Sequence, residues 1–349
     1  TGGGCPHILA EPQRTNLIQY SEELNSTSNV TSSNTTSPDG TLSGLKLTET
    51  IDNSQHYGTS HEASVVSGTI YTVSFYIKKG TYDLVKVYTQ SSLISASIII
   101  TFSTESTSAS GSDLVSGSNF MEDAGNGWYR VGFSATASST GAVSIYLPPK
   151  DLTTYVGDIS QYTEYWGVQL EEGSYATSYI PNFGTALGVT RNQDIFTRDG
   201  IGSLINSTEG VLFVEMAATS FSSNYDVITL SDGTNNNLVG IFYLANNKSI
   251  NVSVKQLGSP VFTGFASTIT YPPLDFHKIA VKYKTGDFAL WIDGTEVLTG
   301  SGALTNLGLS NLQLADGNGT SNKFFGKVKQ LQVHKRALTD TQLAALTTE

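Results

Sequence analysis

The residues with a chemistry to offer are outward-facing aromatics set beside Asn- and Asp-rich turns. That chemistry is sugar binding: a pyranose presents an apolar C–H face to an aromatic ring and a rim of hydroxyls to Asn, Asp, Gln or Arg. In segments of period-two alternation, Tyr76, Tyr88, Trp128, Tyr146 and Tyr165 fall opposite the apolar residues of their strands. Trp291 does the same, because Phe288, Leu290 and Ile292 alternate to the other side. Asn224-Tyr225-Asp226, the stretch 231–237 with Asp232 and Asn235, and the stretch 316–322 with Asp316 and Asn318 supply polar loops. Tyr76, Tyr88, Trp291, Asn224, Tyr225, Asn235 and Asn318 are therefore the candidate glycan contacts. The alternative for each ring is packing against a second layer or a neighbouring subunit, and for each loop an ordinary Asx turn or a site for a hard cation.

Catalysis has less to work with. There is no Gly-x-Ser-x-Gly elbow, no phosphate-cradling Gly-rich loop and no His-Glu-x-x-His helix. Glycoside hydrolysis needs two carboxyl groups facing one sugar, yet the adjacent Glu171 and Glu172 point to opposite faces of a strand. Cys5 is the only cysteine and the histidines lack ligand spacing, which excludes intrachain disulfides and cysteine-based zinc sites. A net charge of −11 argues against sequence-independent nucleic-acid binding. Lys323, Lys327, Lys329, Lys335 and Arg336 gather near the C-terminus, where alternating apolar neighbours mark a solvated strand face. No apolar run reaches the ~20 residues of a membrane-spanning helix. Residue 1 is Thr, so a fragment or processed product is expected.

The positioning elements follow from composition and pattern. At 349 residues two domains are expected, and only 14% charged residues with abundant Gly, Ser, Thr and Asn suits short strands joined by polar turns. The expected class is all-β, two β-sandwich domains. Alternation marks strands over 71–79, 94–102, 128–135, 142–147 and 162–170, the last aligning Tyr162, Trp166, Val168 and Leu170. The stretch 103–112 reads as turns. We expect an extended lead-in over 1–13, a first domain over 14–181, a linker over 182–209 containing a short strand near 194–197, and a second domain over 210–349. In the latter, Asp293-Gly294 signals a tight hairpin turn, and Thr339-x-x-Gln342 a helix capping box.

Four ordered motifs carry a resemblance: Glu11-Pro12-Gln13-Arg14-Thr15-Asn16-Leu17, the run from Tyr71 to Gly80, Gly127-Trp128-Tyr129-Arg130, and the run from Trp166 to Pro181. Together they resemble a carbohydrate-binding-module-like jelly roll of bacteriophage fibre and spike proteins. The hairpin from Phe276 to Gly294 and the run from Phe325 to Asp340 resemble a concanavalin A-like, laminin-G-like sandwich. The first resemblance implies a virion-surface protein that recognises a bacterial surface glycan without catalysis, neighbours other virion proteins, and assembles as a homo-oligomer, a trimer by analogy. A structural decoration protein, a depolymerase and a secreted adhesin are the rivals. The same resemblance implies a structural Ca²⁺, with Glu22, Glu23, Asp39 and Glu171 available in the first domain. In the second domain the Asn- and Asp-dense loops themselves offer Asp226, Asp232 and Asp316 as hard-oxygen donors, with sugar contacts or ordinary Asx turns as the alternatives.

Overall fold

In the computed structural model, the described residues are 7–218, 225–244, 249–266 and 275–348. The chain divides into two compact units, one of Gln13–Asn192 and one of Gln193–Glu349 joined by the segment ending at Pro12. The stretch expected to be a linker is thus shared out. Val189–Arg191 pairs with Arg14–Asn16 in the first unit, while Thr197–Arg198 pairs with Asn311–Gln313 in the second. Part of the expected lead-in is also structured: Ile8–Ala10 is an edge strand of the second unit, paired with Gly326–His334.

The first unit packs two antiparallel six-stranded sheets around one core. One sheet runs Phe120–Gly125, Trp128–Thr136, Ile70–Lys78, Tyr162–Glu172, Gly44–Glu49, Val30–Thr35. The other runs Ser106–Ser110, Ser97–Thr101, Leu84–Thr89, Ile145–Leu147, Tyr57–Thr59, Ser26–Ser28. β-Branched and aromatic residues at alternate positions fill the space between them, with Val73, Phe75, Ile77, Val85, Val87 and Ile98 all buried. Ser106–Ser110, within the stretch read as turns, is an edge strand; its five small side chains carry too weak an alternation to announce it.

One failure of parity moves a candidate residue. In Tyr162–Glu172 the register shifts between Trp166 and Gln169, around Gly167 at φ +60°. A bulge of this kind inverts the facing of every residue beyond it. Tyr165, Val168 and Leu170 therefore enter the core, and Trp166 faces away, contrary to the expected alignment of Trp166 with Val168 and Leu170. Tyr165, expected outward, is fully buried, with its hydroxyl donating to the Pro148 carbonyl at 2.6 Å.

The second unit is likewise two six-stranded sheets. Ile8–Ala10, Gly326–His334, Glu209–Ala218, His277–Lys284, Phe288–Ile292 and Thr295–Gly300 form one. Thr197–Arg198, Asn311–Gln313, Tyr225–Ser231, Leu238–Leu244, Ser249–Gln256 and Ser259–Ala266 form the other. Asp293 and Gly294 both take positive φ, 47° and 80°, and close the hairpin between paired Ile292 and Thr295. The capping box forms: Thr339 Oγ1 accepts from the Gln342 N–H, and Gln342 Oε1 accepts from the Thr339 N–H, at the start of helix Asp340–Thr347.

That helix decides the fate of Trp291. Phe288, Leu290 and Ile292 point into the core as their alternation requires, and Trp291 points the other way. There it meets Val211, Phe213, Ala280, Ala289 and Leu343 in a second apolar layer beneath the helix and is buried. Buried Lys282 fastens the helix start, its ammonium lying 2.9 Å from Asp340 and 2.6 Å from Asp287. Trp291 is packing and has no platform to offer a sugar. Trp291→Ala is expected to cost about 3–5 kcal/mol of unfolding free energy. Chemical denaturation measures this, and wild-type stability in the variant would place the ring outside the packed layer.

Candidate functional site

Of the candidate rings, Tyr88 lies on the face with most to offer. It sits on Leu84–Thr89, where Val85 and Val87 face the core and Lys86 and Tyr88 face out. Tyr146 is directly opposite it on the neighbouring strand, and the Tyr57 ring lies 5.2 Å from the Tyr146 ring in an edge-on arrangement. All three tyrosines are half-buried, and the Lys86 ammonium lies 4.9 Å from the centre of the Tyr88 ring. Hydroxyls border the rings: Ser97 is opposite Tyr88, and Thr59, opposite Tyr146, bonds Ser26 at 2.8 Å. The six strands of this sheet contain no Asp or Glu, in a protein of net charge −11. The Tyr88 hydroxyl meets the loop holding Asp151 and Leu152, and burial raises its pKa above the ordinary phenol value. The result is an amphipathic surface, apolar ring faces with hydroxyl and ammonium groups around them. Alternation alone marked Tyr88 and Tyr146 as outward; Tyr57, on a three-residue strand, carried no such signal.

Tyr76 is placed differently. It is outward on Ile70–Lys78, but residues 173–181 return across that face. The Tyr76 ring meets Trp166 at 5.1 Å and Tyr179 at 6.2 Å, with the Arg130 guanidinium 5.7 Å from its centre. Four side chains hold the returning segment. Asn16 Nδ2 donates to the Ile180 carbonyl at 2.8 Å, and Gln169 Oε1 accepts from the Ile180 N–H at 2.7 Å. Arg130 donates to the Thr177 carbonyl, and buried Glu171 accepts from both the N–H and the hydroxyl of Thr177. The motif residues Asn16, Arg130, Trp166 and Tyr179 thus build a lid for their own sheet. Trp128, expected outward, is also covered: it is 1% exposed and donates from Nε1 to the Thr36 carbonyl.

In the second unit the loops come together. Asn235 Nδ2 donates to Asp316 at 3.3 Å, and Asn235 Oδ1 accepts from the Asn318 N–H at 3.2 Å. Ser231 and Thr229 donate to the carbonyls of Gly317 and Ala315, fixing that loop over the sheet. Two grooves flank it. One, of about 300 Å³, lies against Asn318; the other, of about 280 Å³, lies against Tyr225 and Asp226. Lys323, read from sequence as part of a solvated strand face, precedes Gly326–His334 and lines both grooves. Asn224 lies outside the described residues.

The carboxylates named as calcium donors do not converge in threes among the described residues. Glu22 accepts from the Tyr179 hydroxyl, and Glu171 is taken by Thr177. Asp39 closes a turn with Ser37 and Thr41, whose hydrogen bonds hold its carboxyl below the usual range. Asp232 accepts from Thr234 and Asn237, which outweigh partial burial and lower its pKa. Asp316 accepts from the N–H groups of Thr320 and Ser321. Asp226 is buried and accepts from the Phe325 N–H at 3.1 Å. Among the described residues no three His, Cys, Asp or Glu side chains gather as a metal cage. The turns these carboxylates close use the same oxygen lone pairs an ion would need.

Residues 214–344 match the family model of the Concanavalin A-like lectin/glucanases superfamily. The second unit has that fold. Solved structures similar to the chain include the CBM40 of the Ruminococcus gnavus IT-sialidase bound to alpha2,3 sialyllactose, 14% identical, covering 44% of this chain and 98% of that one, TM-score 0.37. Domain 4 of AbnA, a GH43 extracellular arabinanase from Geobacillus stearothermophilus, in complex with arabinotriose, is 14% identical over 50% of this chain and 84% of that one, TM-score 0.35. Domains LG4-5 of the mouse laminin alpha1 chain are 12% identical over 97% of this chain and 96% of that one, TM-score 0.27. A search of curated proteins found no match.

Burial raises the Asp226 carboxyl from 3.8 to about 7, against the lowering effect of the Phe325 N–H. Between those values the folded protein holds a proton that the unfolded chain has released, so this residue makes stability fall as pH rises from about 4 to about 7. Asp226→Asn is expected to remove a loss of a few kcal/mol across that window. Denaturation of both proteins at pH 4 and pH 7.5 measures it; the same pH dependence in both would show that Asp226 titrates normally.

Proposed function

We propose that this protein is a non-catalytic glycan-binding attachment protein of a bacteriophage particle, carried on the virion surface and recognising a bacterial surface glycan. The observation that carries the binding is the sheet face with Tyr57, Tyr88, Tyr146 and Lys86, whose six strands carry no Asp or Glu. Half-buried rings are already held in place by the sheet, so stacking a sugar on them loses little side-chain entropy. Hydroxyls and an ammonium beside the rings offer partners to the sugar's own hydroxyls. The lectin-like fold of the second unit supports the same reading. The ordered motifs of the first half support the phage setting.

A shallow platform binds one sugar weakly, and several copies on one particle multiply that affinity through effective concentration. A homo-oligomer, a trimer by analogy with phage fibres, meets that need. The first rival is a structural decoration protein, and a less favoured one is hydrolysis, which needs two carboxyl groups facing one sugar. Asp226 is the one carboxyl group lining its groove, and the two lining the other groove are hydrogen-bonded within the protein. Asp194 accepts from the Glu11 N–H, and Asp199 from Thr197 and Asn311.

The test is a glycan array probed with the whole chain, followed by titration of the best ligand against Tyr88→Ala and Tyr146→Ala. Binding is expected to weaken at least tenfold in each variant, with about 1 kcal/mol or less lost in stability, as suits outward-facing positions. Full binding in both folded variants would remove the platform from the proposal. Release of reducing ends from bacterial polysaccharide would replace the whole reading with a depolymerase.

A further inference from the structure

The groove against Tyr225 and Asp226 holds a carboxyl group that the protein leaves largely without partners. Asp226 lies on Tyr225–Ser231, directly opposite Tyr243 on Leu238–Leu244, and is only 6% exposed. One of its oxygens, Oδ1, accepts from the Phe325 N–H. The other, Oδ2, has no hydrogen-bond partner among the described residues, and it is not sealed from solvent as the Gln313 amide oxygen is. A carboxylate offers about four lone-pair sites, and a single N–H fills one of them. Burial with so few donors is the reason this group keeps its proton up to about 7. The open oxygen belongs to a residue that lines the groove.

The other residues of the groove narrow what could complete it. Tyr225 and Phe325 line it, and aromatic rings beside a carboxylate favour an ammonium through their quadrupoles as well as through the charge. Lys323 lines it too and makes no ion pair among the described residues, with Asp226 or with any other carboxylate. One groove therefore holds an acidic and a basic group that do not satisfy each other. A ligand with an ammonium alone meets repulsion from Lys323, and one with an anion alone leaves Asp226 as it is. A ligand that carries both answers both. About 280 Å³ lies just under the range of drug-sized pockets and suits a group of that size.

We propose that this groove binds a zwitterionic group, a primary ammonium that donates to Asp226 Oδ2 beside an anionic oxygen group held by Lys323. Aminoalkyl phosphates and free amino acids have that chemistry. The site does not depend on the tyrosine platform of the first unit. Selectivity comes from Asp226, since a neutral hydroxyl can supply a hydrogen bond but not the countercharge that a buried carboxylate lacks. The ammonium binds the carboxylate form, so binding is linked to release of the Asp226 proton. Among the described residues, the other charged and titratable groups bearing on this position are Lys323 in the groove and Tyr243 opposite. Asp275 and Asp293, the latter paired with His277, act on the same Tyr243 hydroxyl.

Calorimetric titration of the whole chain with O-phosphoethanolamine, ethanolamine and glycerol 3-phosphate tests this. O-phosphoethanolamine is expected to bind at least tenfold more tightly than glycerol 3-phosphate, which keeps the anion and lacks the ammonium. It is also expected to bind several-fold more tightly than ethanolamine, which lacks the anion. Ethanolamine stays charged between pH 6 and pH 8, as a lysine does, so its affinity should rise about tenfold over that range, following the carboxylate fraction of a group that titrates at about 7. Asp226→Asn keeps an oxygen for the Phe325 N–H and buries no charge; it should fold, and lose both the ammonium preference and the rise with pH. Lys323→Ala should leave ethanolamine bound and erase the advantage of O-phosphoethanolamine over it. No binding of either amine at millimolar concentration, equal affinity for O-phosphoethanolamine and glycerol 3-phosphate, or the same rise with pH in Asp226→Asn would each overturn the assignment. If Asp226→Asn fails to fold, an ethanolamine affinity in the parent that does not change with pH overturns it instead.

Discussion

A two-layer sandwich buries one face of each sheet, and the other face has to be wetted or covered. That constraint organises both units. In the first, the sheet containing Ile70–Lys78 carries Tyr76, Trp128 and Trp166 on its outer side, and the returning segment 173–181 with the Thr36 region covers them. In the second, helix Asp340–Thr347 covers Trp291, and the loop around Ala315 and Gly317 covers Thr229 and Ser231. The remaining sheet of the first unit, with Tyr57, Tyr88 and Tyr146, keeps its aromatics half-exposed between Ser and Thr hydroxyls. An outward aromatic stays accessible where no described element of the same unit sits on it.

Covering a face brings polar backbone into the interior, and buried polar side chains meet that need. Asn16, Gln169 and Glu171 are each fully buried and each hydrogen-bonded to the backbone of the returning segment or its neighbours. They are the polar equivalent of core packing, and satisfied networks of this sort fix one arrangement of a loop. Gln313 contrasts with them: it is buried as well, yet among the described residues its amide oxygen has no hydrogen-bond partner. The difference lies only in whether the chain supplies the partner.

The charge distribution follows a similar division. Thirty acidic residues against nineteen basic ones make the protein repel polyanions as a whole. Many of the carboxylates close Asx turns, as Asp39, Asp232 and Asp316 do, while the tyrosine-bearing sheet has none in its strands. Neutral, hydroxylated ligands suit such a face, since nothing in it favours or opposes a formal charge strongly except Lys86.

Alternation of apolar residues by itself determined the all-β class, the two sandwiches, the inward facing of Phe288, Leu290 and Ile292, and the outward facing of Tyr88. Local chemistry likewise determined the Asp293-Gly294 turn and the Thr339–Gln342 cap, because those depend on residues within one turn of each other. Edge strands such as Ser106–Ser110 and Val30–Thr35 were harder to see, since their pairing comes from neighbours and their small polar side chains carry little pattern. The tertiary structure alone decided three things. The bulge at Gly167 exchanged Tyr165 for Trp166, which period-two reading cannot foresee because one extra residue inverts parity. Segments distant in sequence settled whether an outward ring was covered, so Trp291 and Tyr88 share a pattern and differ in fate. And the groove at Gln313 exists only because segments more than a hundred residues apart, at 194–199 and 311–323, form its opposing walls. Facing is a local property of a strand; accessibility is a property of everything that packs against it.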